Sequence, residues 1–74
     1  MIIKVEKGKE ADILEYQCAV FGLQCHLFTM ENNPLLMQAE IVHEDGGELD
    51  AGTAWTLCKS VDIRLERIEN RSIL

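Results

Sequence analysis

Apolar residues fall at every second position in four separate runs, and this period constrains the fold more than any other feature of the chain. Ile3 and Val5 alternate with Lys4 and Glu6. Leu14, Tyr16, Cys18 and Val20 alternate with Glu15, Gln17 and Ala19. Leu23, Cys25 and Leu27 alternate with Gln24 and His26, and Met37, Ala39 and Ile41 with Gln38 and Glu40. Successive side chains of a strand point to opposite faces, so each run reads as a strand with one buried face. Turn-forming segments separate the runs: KGKEAD at 7–12, Phe21-Gly22, and ENNP at 31–34. Residues 10 to 21 also carry the helix formers Glu, Ala, Leu and Gln. The unbroken alternation from Leu14 to Val20, with its Tyr, Cys and Val, favours a strand there.

After HEDGGELD at 43–50 the period changes. Ala54, Trp55, Cys58, Val61, Leu65 and Ile68 recur at intervals of three or four, as one face of a helix does. Asp50 is the natural N-cap and Leu49 a hydrophobic staple. Arg64, Arg67 and Arg71 sit toward the negative end of the helix dipole. The spacing predicts a helix over about 51–70, with Trp55 as a main anchor on the sheet. The predicted fold is α+β: a four-stranded antiparallel β-meander with one long C-terminal helix on one face, in the order ββββα. At 74 residues the chain is one small domain spanning 1–74.

Two cysteines and a histidine lie within nine positions in the stretch EYQCAVFGLQCHLF, 15–28. If Phe21-Gly22 made a two-residue hairpin, Cys18 would face Cys25. The loop after it would set Cys25 against Ile41 and Leu27 against Ala39. Cys18, Cys25, His43 and Cys58 then point toward the helix. Zinc sites favour short Cys-x-x-Cys turns, and this chain has none. Free cysteine is among the most buried residue types, so core packing is the favoured reading over a redox pair or a metal. No metal and no cofactor is expected.

On the other face of that sheet Gln17, His26 and Glu40 form one cross-strand row. With no nucleophile beside them they read as a surface pair rather than an acid–base device. Phe28, Met30, Leu36 and Val42 flank that row, and such an apolar cluster on a face that is usually polar marks an interface. Ile63 and Ile68 of the distal helix join this candidate interface, and Ile73 and Leu74 after them also need cover. HEDGGELD lacks the alternating ligands of a calcium loop and reads as a solvated connection.

Charge narrows the partners. Residues 1–50 carry ten acids against three lysines, and the whole chain has a net charge of -6. No basic stripe exists to follow a phosphate backbone, so nucleic acid is not an expected partner. No membrane span and no leader with an apolar core are apparent. Three cysteines, an odd number, suit a reducing, cytoplasmic location. No phosphate-cradling glycine loop or catalytic elbow is present. The expected function is a non-enzymatic protein–protein interaction module, homodimeric, with a basic or apolar protein partner. It has the size of an accessory or inhibitory protein of a bacterium, phage or mobile element. The alternative is a small-ligand or metal binder using the helix–sheet gap, lined by Tyr16, Trp55, Cys18 and Cys25.

Overall fold

The computed structural model describes the backbone of residues 1–73 and the side chains of residues 1–69. In chain order the elements are β1 (Ile2–Glu6), α1 (Lys9–Val20), β2 (Leu23–Thr29), β3 (Leu36–His43) and α2 (Ala51–Ile73). The strands form one antiparallel sheet in the order β1-β3-β2. The class is α+β, but the sheet has three strands and there are two helices, which corrects the four-stranded ββββα meander. The disagreement lies wholly in residues 9–20.

Those residues are helical because of where their side chains go. Ala11, Leu14 and Cys18 are buried, as are Ile13 and Gln17, at the spacing of three and four that defines a helix face. Tyr16 and Val20, which completed the apparent alternation, are 56% and 60% exposed. A polar residue in a buried slot and two apolar ones outside it disguised the helical period. Topology makes the same demand. β1 and β2 both run antiparallel to β3, hence parallel to each other with β3 between them. Joining two such strands needs a crossover, and α1 is that crossover in a split βαβ arrangement.

Phe21-Gly22 ends this helix instead of turning a hairpin. The Phe21 N–H donates to the Gln17 carbonyl at 3.0 Å and the Gly22 N–H to that of Ala19 at 3.2 Å. Gly22 takes φ 70, the left-handed conformation in which glycine commonly stops a helix. At the other end Glu10 and Asp12 occupy the first turn, where the helix dipole favours negative charge.

The β2–β3 hairpin has the predicted register, with Cys25 opposite Ile41 and Leu27 opposite Ala39. The inward residues Val5, Leu23, Ala39 and Ile41 form one core with Leu14 and Cys18 of α1 and Leu57 and Val61 of α2. Both helices therefore cover the same face of the sheet and leave the other open.

Helix α2 starts where expected. The Thr53 N–H donates to Asp50 Oδ2 at 3.1 Å and the Thr53 hydroxyl to Oδ1 at 2.7 Å. Leu49 packs against the core just before it. Trp55 does not anchor the helix, for its side chain is 65% exposed. Leu57 is the anchor, with no exposed surface. Two residues are about 200° round a helix, so when Leu57 faces the core Trp55 cannot. At 23 residues α2 is roughly 34 Å long, twice the ~17 Å of the five-residue β1. It is longer than any strand of the sheet. Ile73 and Leu74 lie outside the described side chains.

Candidate functional site

Even-numbered residues of β2 and β3 point to the uncovered face. His26 and Glu40 sit directly opposite each other there, as the alternation predicts. The third member of their row is Ile2, opposite Glu40 on the other side. Gln17 is not in it. That residue is buried in α1, and its Oε1 has no hydrogen-bond partner among the described residues. Toward one end of the face lie Phe28, which is 49% exposed, and half-buried Leu36. Toward the other lie Ile2, 64% exposed, and half-buried Val42. In the row next to His26 and Glu40, Lys4 and Phe28 flank Gln38. The face thus carries an apolar residue among polar ones in each row.

Four of the six candidate interface residues, Phe28, Met30, Leu36 and Val42, were assigned to this side of the sheet. Phe28, Leu36 and Val42 project from it, while Met30 is half-buried just past the end of β2. Ile63 and Ile68 are exposed on distal α2, well away from that cluster in the chain. Sequence reasoning passed over Ile2. The signal was the Ile2-Ile3 pair, which puts an apolar side chain on each face of a strand and so asks for cover on both.

The cysteines gather in the core. Cys18 of α1 meets Cys25 of β2, not as a cross-strand pair but as helix against strand, and Cys58 of α2 lies near enough to act on Cys18 electrostatically. Burial above all pushes the Cys18 thiol up to about 12, with Cys25, Cys58 and Glu15 adding to it. Burial likewise raises Cys25, and it raises Cys58 with help from Asp62. Thiolate is the form that attacks and ligates, and this setting disfavours it at all three. Among the described residues no three His, Cys, Asp or Glu side chains gather as a metal site would need.

Tyr16 and Trp55 do not line this cluster with Cys18 and Cys25. Tyr16 lies on the surface, its ring 5.1 Å from the Arg64 guanidinium, which ties α1 to α2. Trp55 lies under the Lys59 ammonium at 5.9 Å. Only half of the proposed ligand lining is therefore in one place.

His43 ends β3 with its Nε2 3.7 Å from Asp50 Oδ1. The hydrogen bonds from Thr53 hold the Asp50 carboxyl below the usual range, with His43 assisting. This arrangement secures the start of α2.

A second uncovered feature is the outer edge of β1. The Ile41 N–H donates to the Met1 carbonyl at 2.8 Å and the Lys7 N–H to the Leu35 carbonyl at 2.9 Å. Odd residues of β1 therefore bond to β3, and Ile2, Lys4 and Glu6 turn their backbone groups outward. The Glu6 N–H is met by Glu10 Oε1 at 2.7 Å. Those of Ile2 and Lys4 have no protein partner among the described residues. Beside this edge lies a groove of about 240 Å³, formed by Ile3, Lys4 and Val5, by Glu10 and Leu14, and by Cys58, Val61 and Asp62 on the flank of α2.

Compared with known protein families, curated proteins and solved structures, the chain matches none. Among the described residues no helix is long and apolar enough to cross a membrane.

Proposed function

We propose that this chain is a non-enzymatic protein–protein interaction module that pairs with a second copy of itself and docks on another protein. One observation carries the reading: both helices cover a single face of the sheet, leaving Ile2, Phe28, Leu36 and Val42 on a face that no element among the described residues covers. A sheet normally buries one face and solvates the other with polar residues, and this one carries apolar residues along its length. A three-stranded face measures roughly 14 by 20 Å, small beside the ~800 Å² per partner of a stable interface. The pairing is accordingly of micromolar strength, with two-fold symmetry as its natural form. The net charge of -6 favours a basic or apolar protein as the other partner. Three free thiols suit a reducing, cytoplasmic setting.

Light scattering between 1 and 100 micromolar (about two decades around the expected strength) tests the self-association. The mass should rise above 8.4 kDa with concentration. Phe28→Asp should hold it at the monomer value. A wild-type chain at monomer mass throughout rejects self-pairing.

A further inference from the structure

We propose that the outer edge of β1 accepts an extended segment of a partner protein as a fourth strand, its apolar side chains lodged under α2 and a basic side chain directed at Asp62 and Glu10. This rests on the reading of the chain as an interaction module and names the kind of partner. Three features converge on one strip of surface. Ile2 and Lys4 turn unpaired N–H and C=O groups outward, the hydrogen-bonding template that strand addition uses. The groove beside that edge has an apolar wall in Ile3, Val5, Leu14 and Val61, and its acids are Glu10 and Asp62. Trp55, Cys58 and Asp62 follow one another at intervals of three and four, so they form one row along α2. Cys58 and Asp62 already line the groove, and this row places the exposed indole at its end.

The occupant is a strand and not a second copy of this domain. A new strand needs only about 4.8 Å beyond β1, whereas a β1-to-β1 dimer brings two α2 helices together above the same edge. Helix axes require roughly 8–10 Å, and α2 already stands beside the edge at Cys58, Val61 and Asp62. The charge of the occupant follows from the lining. An incoming lysine or arginine meets two carboxylates against the single ammonium of Lys4. The five-residue length of β1 limits the contact to a short segment, so affinity comes from few backbone bonds and pockets for alternate side chains.

The test uses the synthetic peptide Val-Thr-Lys-Thr-Val, in which valine and lysine share the groove-facing side and threonine fills the other. Controls are the same peptide with alternate backbone amides N-methylated, and one in which glutamate replaces lysine. Nuclear magnetic resonance reads amide-exchange protection at Ile2 and Lys4, and fluorescence reads Trp55, the only tryptophan in the chain. The lysine–valine peptide should protect both amides and shift the emission, while the N-methylated form does neither. Lys4→Pro removes an outward N–H that β3 does not use, which an edge strand tolerates, and should weaken the peptide about tenfold. Asp62→Lys on the exposed side of α2 should transfer preference to the glutamate–valine peptide. Equal binding by the N-methylated peptide overturns the proposal. So does an absence of protection with millimolar peptide of either charge, or protection that grows with protein concentration alone and reveals a second copy at the edge. Light scattering on the same samples separates the two readings. A dimer with a silent edge removes only the strand-addition site, and a monomer that binds peptide removes only the self-pairing.

Discussion

Replacing Leu57 with alanine, set beside the same replacement at Trp55, asks which residue holds α2 to the rest of the molecule. Leu57 has no exposed surface and belongs to a core whose Leu14 and Ile41 are also fully buried. Removing such a side chain forfeits its transfer energy and leaves a cavity that tight neighbours fill poorly, at about 2–5 kcal/mol. A 74-residue domain is stable by roughly 4–11 kcal/mol, so Leu57→Ala removes a large share. At about 3 kcal/mol the melting temperature falls by roughly 12–24 °C. Trp55 is the larger residue, but it is 65% exposed and its contact with Lys59 is a surface one. Trp55→Ala should cost less than about 1 kcal/mol. Urea unfolding followed by circular dichroism provides both numbers. Protein concentration must be fixed, because self-association stabilises by mass action. If Trp55→Ala destabilises more than Leu57→Ala, α2 is rotated relative to the arrangement described and the reasoning fails. A Leu57→Ala protein within 1 kcal/mol of wild type (about the smallest loss for a core truncation) refutes it equally.

Further outcomes follow from named residues. Titration in denaturant should find three free thiols per chain, whereas in the native protein Cys18 should be alkylated last, since it is buried and Cys25 and Cys58 are only half-buried. Cys18 is held protonated in the fold up to about 12 against an ordinary 9.0, so its contribution to stability is complete below pH 9 and is lost as the pH climbs toward 12; a melting temperature flat over that range contradicts this. For Asp50 the sign is opposite: its carboxyl is lowered from 3.8, so its stabilisation is present above that value and disappears as the pH falls below it. Asp50→Ala should destabilise the protein at neutral pH and by progressively less in acid, and an unchanged difference between pH 7 and pH 3 (on either side of the ordinary carboxylate range) removes the cap from the account. Gly22→Ala forces a side chain into the left-handed region at φ 70 and should cost about 1 kcal/mol in the same unfolding assay; no loss means that α1 ends differently.

What the chain declares locally is its strands, its long helix and their pairing. β1, β2 and β3 each carry an alternation that places one apolar face inward, and a slip of one residue would expose that face, so Cys25 opposite Ile41 was legible from the pattern. The start of α2 was legible too, because Asp50 caps through bonds to a residue only three positions away. The interface candidates Phe28, Leu36 and Val42 came from the same alternation and do lie on the open face. Position-by-position pattern failed where burial depends on distant elements. In α1 a buried Gln17 and exposed Tyr16 and Val20 disguise the helical period in the sequence, and the need to cross over β3 decides for a helix. Trp55 and Leu57 are both apolar and two positions apart, and which of them faces the core is decided by how α2 packs on α1 and the sheet. The β1 edge and its groove are a property of assembly alone: free amides at Ile2 and Lys4 exist because β3 takes the middle of the sheet, and hydrogen-bonding sides of a strand leave no mark in its side chains.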